Sequence, residues 1–145
     1  MTHALTLSRP RSASETGLRL VVVVGLVIDA IVHLQLAGTY DLAAPAGIGE
    51  GNLFRIEAVA ALIVAAAVLL TGSRYSYAAG FLVAGGGLLL LIVYRYFEVP
   101  AFGPIPSMYE PLWFGKKTFT AVAQGIAAVA ALCAFFVPRQ SAERA

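Results

Sequence analysis

Two ionisable residues lie inside the first long apolar stretch of the chain, and their spacing places them on one helical face. The stretch covers residues 18–38 and contains Asp29 and His33. Residues four apart point to the same side of an α-helix. An ionisable side chain at membrane depth costs roughly 2.5–3.5 kcal/mol, so such residues usually face other protein groups. We therefore predict that other helices cover the face that carries Asp29 and His33.

The Asp29–His33 pair has two interpretations, and the sequence leaves both open. In the structural one, the pair is buried and fixes the register of the first helix. In the functional one, Asp29 carries protons or receives a cationic ligand. His33 then supplies either a charge or a neutral hydrogen bond, since its ordinary pKa lies close to neutrality.

Four further polar residues are expected near the same end of the molecule. Glu57 lies about one turn into the second apolar stretch, and Arg95 lies near the end of the third. Lys117 and Gln124 are seven apart in the fourth stretch, which places both on one stripe of a helix. We predict that these side chains converge with Asp29 and His33 on one outward-facing polar pocket. The alternative for Arg95 is a local ion pair with Glu98, three residues further on.

The composition indicates that these residues are carried by membrane-spanning helices. The 145 residues are 59% hydrophobic and 12% charged, whereas soluble domains are about 45–50% apolar and about 25% charged. Four apolar stretches, at about 18–38, 53–71, 75–97 and 113–137, are long enough to cross a bilayer. We predict an all-α, integral membrane four-helix bundle over 18–137. Residues 1–17 are expected to be a flexible cytoplasmic tail, and 138–145 a second cytoplasmic tail.

The distribution of basic residues predicts the orientation of the bundle. Cytoplasmic segments of membrane proteins carry an excess of lysine and arginine. With both termini inside, the inner face holds Arg9, Arg11, Arg19, Arg74, Arg139 and Arg144. The basic residues of the opposite face are accompanied by acidic ones. We therefore predict a multi-pass membrane protein with both termini in the cytoplasm.

Small residues indicate how the helices pack. Gly80, Ala84 and Gly87 recur at helical spacing in the third stretch, and such residues let membrane helices approach closely. We expect these residues to form helix contacts within one chain, in a homodimer or in a larger membrane complex. The lipid bilayer is the expected surrounding. A net charge of +2 with no basic face argues against a nucleic-acid partner.

The sequence lacks the motifs of common catalytic and metal sites. It has a single cysteine, Cys133, so neither an intramolecular disulfide nor a pair of thiolate ligands can form. One intramembrane histidine with scattered carboxylates has no HExxH-type spacing, and no P-loop, GxGxxG or GxSxG motif is present. We predict no metal site, and we expect a binding protein rather than an enzyme.

One segment of the chain resembles a known group of membrane proteins. The residues IVHLQLAGTYD at 31–41, a glycine-rich loop, and LFRIEAVAALIVAAAVLL at 53–70 resemble uncharacterised small four-helix membrane proteins of high-GC actinobacteria. These proteins are loosely similar to the DoxX-like group, and the resemblance covers most of 18–137. It implies a four-helix bundle in the bacterial plasma membrane and, for some members, association with quinone-linked or thiol-redox systems. The chain has no cysteine pair for thiol chemistry.

Three functions are therefore considered. The favoured one is the binding of a small ligand, a lipid or a partner subunit through the outward-facing polar pocket. The second is a DoxX-like redox accessory subunit in which Asp29 and His33 form hydrogen bonds or carry protons. Quinone is the only cofactor that this function suggests. The third is a proton-coupled exporter resembling small multidrug-resistance transporters, in which Asp29 is the membrane carboxylate. Those transporters have short loops, whereas this chain has two of roughly 15 residues.

Overall fold

The protein is a bundle of four helices, seen in a computed structural model that describes residues 13–41 and 48–137. The helices are α1 (Ala13–Tyr40), α2 (Glu50–Thr71), α3 (Arg74–Tyr96) and α4 (Gly115–Phe136). Each of the four is long and apolar enough to cross a membrane. The prediction of an all-α protein with four apolar helices of spanning length is confirmed.

The first helix begins earlier than the hydrophobic pattern indicates. It starts at Ala13, so residues 13–17 of the predicted flexible tail are helical. Glu15 lies in the first turn, where a negative charge is favourable beside the positive end of the helix dipole. This turn is polar and has no hydrophobic period, which explains the later predicted start at residue 18. The remainder of that tail, 1–12, and the predicted tail at 138–145 lie outside the described residues.

The two ends of the bundle differ in their connections. At one end, called the turn end, α2 passes into α3 through Gly72 and Ser73. Gly72 has φ 53°, a left-handed conformation that favours glycine. Ser73 caps α3 by accepting a hydrogen bond from the backbone N–H of Ser76. The opposite end, called the loop end, carries the longer α1–α2 and α3–α4 connections.

The α3–α4 connection, residues 97–114, is called the hairpin loop. Two antiparallel bridges, Val99 with Met108 and Phe102 with Ile105, fold it back on itself. Gly103 begins the two-residue turn with φ 56°, as tight hairpin turns require. The backbone N–H of Ile48 donates to the carbonyl of Pro104 over 2.9 Å, which ties the α1–α2 connection to the turn. The sequence predicted only a loop here.

The centre of the bundle is built largely from alanine. α1 packs against α2 and α4, and α3 packs against α4. A Cβ added at Gly25 of α1 would lie 2.6 Å from the Ala127 Cβ and 3.1 Å from the Ala123 carbonyl oxygen of α4. The backbones of α1 and α4 therefore approach more closely than any other residue at position 25 allows. Further buried alanines are Ala30, Ala37, Ala58, Ala61, Ala65, Ala84, Ala128, Ala130, Ala131 and Ala134.

A buried arginine closes the turn end. Arg19 of α1 is 7% exposed, and its guanidinium group lies against Gly72, where any side chain would collide with it. Its Nη1 atom donates to the Leu69 carbonyl over 3.5 Å. The charge thus lies at the C-terminal end of α2, which is the negative end of its dipole. Arg19 therefore joins α1 to α2.

Candidate functional site

The buried centre of the site is a carboxylate shared between two helices. Asp29 of α1 is 0% exposed and Gln124 of α4 is 1% exposed. The Gln124 Nε2 donates to Asp29 Oδ1 over 2.8 Å. The His33 Nδ1 lies 3.0 Å from the same oxygen and 2.9 Å from the Asp29 carbonyl. Since both neighbours of Nδ1 are acceptors, this nitrogen carries the proton. Asp29 therefore accepts hydrogen bonds from both His33 and Gln124 and fixes the orientation of the two side chains.

A glycine of α3 makes room for the polar side chains beside this pair. A Cβ added at Gly87 would collide with the Gln124 Nε2 and would lie 3.2 Å from the Glu57 Oε1. Glu57 and Gln124, from α2 and α4, therefore meet over Gly87. The predicted contact at Gly80 and Ala84 is a true packing contact, since a Cβ at Gly80 would lie 3.3 Å from Val22 and Ala84 is buried.

These side chains form one end of a cavity of about 320 Å³ between the four helices and the hairpin loop. Such a volume is at the lower end of the range for small-molecule sites. Most of the wall is apolar, with Val32, Leu36, Leu53, Phe54, Leu91, Ile105 and Met108 among the lining residues. Glu57 and Gln124 lie seven and nine residues inside the loop ends of their helices. The polar end of the cavity is therefore about 10–14 Å deep at 1.5 Å per residue.

Several buried polar atoms at this deep end have no hydrogen-bond partner among the described residues. They are Asp29 Oδ2, Glu57 Oε1, Thr120 Oγ1 and Gln124 Oε1. Glu57, Thr120 and Gln124 line the cavity, and Asp29 lies directly behind Gln124. A buried polar group without a partner costs about 1–3 kcal/mol. The deep end therefore offers a group of hydrogen-bond acceptors, and a ligand that donates hydrogen bonds would satisfy them.

Glu110 holds the hairpin loop over the loop end of the cavity. Its carboxylate accepts a hydrogen bond of 2.5 Å from the Tyr40 hydroxyl. Its carbonyl accepts one of 2.6 Å from the Lys117 Nζ, and its N–H donates to the Tyr94 carbonyl over 2.9 Å. One residue of the loop is thus bonded to α1, α3 and α4, which covers the cavity from that end.

The structure brings most of the predicted site residues together. His33, Glu57, Lys117 and Gln124 line the cavity, and Asp29 supports it from behind. Arg95 is not among the lining residues; its guanidinium carbon lies 5.0 Å from the centre of the Tyr96 ring.

Two residues of the site were not predicted from the sequence. Thr120 is 3% exposed and lies between Lys117 and Gln124 at helical spacing, so the same stripe would have identified it. Glu110 lies in the hairpin loop, far in sequence from Tyr40, and no local pattern indicates their contact.

An ion pair outside the cavity joins α1 to α2 at the loop end. The Arg55 guanidinium donates to both carboxylate oxygens of Asp41, over 2.9 and 2.5 Å. These hydrogen bonds lower the pKa of Asp41 below its ordinary value. Arg55 therefore has an acidic partner within the chain.

Comparisons of the chain with protein-family models, curated proteins and solved structures find no match. The resemblance to the DoxX-like group therefore stays a prediction. Within 13–41 and 48–137, no group of three or more histidine, cysteine, aspartate or glutamate side chains is placed to hold a metal ion. The cavity and its buried acceptor atoms are the features of the molecule that indicate a function.

Proposed function

We propose that the protein is a multi-pass protein of the bacterial plasma membrane that binds a small ligand in the loop-end cavity. The supporting observation is the set of unpartnered acceptor atoms on Glu57, Gln124 and Thr120 at the deep end of a largely apolar cavity. Small-molecule sites typically combine an apolar wall with a few convergent polar groups. The ligand satisfies the acceptors, and its apolar part occupies the remaining volume.

A quinone-linked role receives less support from the same atoms. Quinone carbonyl oxygens accept hydrogen bonds, so a quinone site needs donors at the position of the ring oxygens. At the deep end, one N–H of the Gln124 amide and the His33 Nδ1–H are both directed to Asp29. The unpartnered oxygens of Glu57 and Gln124 can only accept while the carboxyl group is ionised, and they match a ligand that donates.

An exporter that uses Asp29 is also less well supported. In such a mechanism, the membrane carboxylate itself meets the transported cation. Here Asp29 is 0% exposed and is not among the cavity-lining residues. Its Oδ1 already accepts from Gln124 and lies 3.0 Å from His33 Nδ1. Glu57 and Gln124 are the groups that a ligand would contact first.

Two neighbouring glycines of α3 provide a matched test of ligand binding. A leucine at position 87 would displace the Gln124 amide and enter the cavity, whereas a Cβ at Gly86 meets nothing within 4 Å. Native mass spectrometry of protein released from nanodiscs of native lipid is expected to show one bound small molecule on wild type and Gly86→Leu. Gly87→Leu should lose this molecule by at least about tenfold in occupancy, the equivalent of 1.4 kcal/mol. Equal occupancy in all three proteins, or a bare wild type, would contradict the proposal.

The proposed orientation places the turn end in the cytoplasm and the hairpin loop outside. In this orientation the sequence assigns six basic residues to the cytoplasmic side, Arg9, Arg11, Arg19, Arg74, Arg139 and Arg144, and four to the opposite side, Arg55, Arg95, Lys116 and Lys117. This excess supports a cytoplasmic turn end.

Labelling of single cysteines tests this orientation. In a Cys133→Ala background, Ser107→Cys in the hairpin loop should react with an impermeant maleimide on intact cells. Tyr75→Cys, at a position that is 88% exposed near the turn end, should react only after the membrane is permeabilised. Tyr75 is preferable to Ser73, whose hydroxyl caps α3. The reverse labelling pattern would show that the bundle is inserted the other way.

A further inference from the structure

The cavity has a side opening between α2 and α3. Two of its large apolar lining residues, Ile56 of α2 and Leu90 of α3, belong to its wall and are nevertheless 58% and 50% exposed. A side chain that both lines a cavity and is half exposed lies at the edge of an opening. Because these two residues belong to adjacent helices, the edge they form faces sideways rather than toward the loop end.

The packing of α3 explains why the opening is there. The buried residues of α3 are Ser76, Tyr77, Gly80 and Ala84, all in the half nearest the turn end. From Gly85 to Tyr96, no residue of this helix is buried. The Gly72–Ser73 turn holds α2 and α3 together at the turn end, and no corresponding connection joins them beside the cavity. In a spanning bundle, the gap faces the hydrocarbon of the bilayer.

The direct route from the loop end is narrowed by the hairpin loop, whose Tyr109 lines the cavity and is 53% exposed. Glu110 joins the hairpin loop to Tyr40, Tyr94 and Lys117 through three hydrogen bonds. The Ile48–Pro104 backbone bond adds the α1–α2 connection to this cover. Among the described residues, no such hydrogen bond crosses the side opening between α2 and α3, so a molecule dissolved in the bilayer has a path of its own to the cavity.

The deep end determines which head group fits. The Gln124 amide is oriented by its bond to Asp29, with Nε2 toward the carboxylate, so Oε1 is left as an acceptor. The Glu57 Oε1 is a second acceptor, close to the same point over Gly87. The Thr120 hydroxyl is buried and unpartnered beside them. A head group that donates hydrogen bonds, such as an amine or an alcohol, complements this arrangement, whereas an acceptor-only anion meets only lone pairs.

We propose that the ligand is a membrane-dissolved amphiphile with one apolar chain and a hydrogen-bond-donating head group, an amine or an alcohol, that enters between α2 and α3. This inference rests on the proposed ligand-binding function and adds the ligand class and the route. The head group lies against Glu57 and Gln124, and the chain extends past Ile56 and Leu90 into the lipid.

Probes of equal chain length test the head group. Wild-type protein in phosphatidylcholine nanodiscs is exposed to dodecylamine, dodecanol or laurate, and occupancy is read by native mass spectrometry. The amine and the alcohol are expected to bind one molecule per chain, at least about tenfold more than laurate. Butylamine, which has the same head group without a membrane-partitioning chain, should leave the site empty at the same concentration. If laurate reached the same occupancy as dodecylamine, the assignment of the head group would be overturned.

Matched pairs of tryptophan variants test the route. Leu90→Trp and Ile56→Trp place a larger side chain at the opening, and each should slow dodecylamine uptake at least about tenfold. Leu89→Trp and Val59→Trp serve as controls, since both positions are more than half exposed and neither lines the cavity. A circular dichroism spectrum and a gel-filtration volume like those of wild type identify the folded variants. Because the two positions lie on opposite sides of the opening, either variant can test the route if the other does not fold.

The outcomes separate this inference from the proposed function. Unchanged uptake in both opening variants, or butylamine binding equal to dodecylamine, would overturn the lateral route while leaving ligand binding intact. A wild type that carries its own copurifying molecule, lost in Gly87→Leu, yet binds none of the three twelve-carbon probes would overturn the ligand class alone. Absence of any copurifying molecule contradicts the proposed function itself.

Discussion

Replacing Asp29 with leucine is expected to lower the free energy of unfolding of the bundle by about 1–3 kcal/mol. The Gln124 Nε2 donates to Asp29 Oδ1 in the buried centre, and leucine leaves that N–H without an acceptor. His33 is affected less, because its Nδ1 also lies 2.9 Å from the backbone carbonyl of residue 29. Asp29→Asn keeps a side-chain oxygen and should cost less than about 1 kcal/mol. Unfolding in mixed micelles with increasing dodecyl sulfate measures both.

A double variant shows whether the Asp29–Gln124 bond is responsible. Asp29→Leu with Gln124→Leu removes donor and acceptor together, so no buried group is left unpaired. The loss of unfolding free energy in the double variant should therefore be smaller than the sum of the losses in the two single variants. Additive losses would mean that the bond contributes nothing measurable and that the leucine acts through packing.

The same aspartate separates the structural and functional interpretations of the pair. If Asp29 only fixes the register of α1, folded Asp29→Asn protein should keep wild-type ligand binding between about pH 5 and 8, the range in which histidine changes charge. If Asp29 carries a proton or compensates a cationic ligand, the variant should fold normally and lose the pH dependence of binding. Binding curves of the two proteins over that range distinguish the cases.

Local patterns in the sequence predicted the elements and part of the site. Apolar stretches of sufficient length gave four helices, because hydropathy depends on each segment alone. The i,i+4 spacing placed Asp29 and His33 on one face, and the seven-residue spacing placed Lys117 and Gln124 on another. In each case the information lies within one helix, and tertiary packing only has to bring the faces together.

Local patterns did not predict which face of α3 turns toward the cavity. Its helical face toward the cavity is set by Gly87, Leu91 and Tyr94, at i, i+4 and i+7. Arg95 lies eight residues from Gly87, about 80° around the helix at 100° per residue, and this offset removes it from the lining. Which face of an apolar helix turns inward depends on its neighbours, and α3 is apolar on most sides.

Contacts between segments that are distant in the sequence could not be predicted from local patterns either. The Tyr40–Glu110 hydrogen bond joins residues seventy apart in the chain. Gly25 lies in an unbroken apolar run, and only the approach of α4 shows that its missing side chain matters. The sequence contains the residue types for such contacts, but the pairing follows from the folded geometry.

The close approach at Gly25 leads to the second large expected effect. Gly25→Ala adds a Cβ 2.6 Å from the Ala127 Cβ and 3.1 Å from the Ala123 carbonyl oxygen. Neither group can rotate away, so α1 and α4 must separate, and overpacking of this kind costs about 1–3 kcal/mol. The shift would also disturb the Asp29–Gln124 hydrogen bond, which joins the same two helices one turn further along.

Gly86→Ala is the matched control for this substitution. Gly86 is also in a helix interior, and a Cβ there meets nothing within 4 Å. Since alanine favours helix over glycine by about 1 kcal/mol, this variant should be as stable as wild type or more so. The unfolding midpoints in dodecyl sulfate should therefore move in opposite directions for the two variants. If Gly25→Ala were also neutral or stabilising, α1 and α4 would have room to spare, and the close helix contact at Gly25 would be disproved.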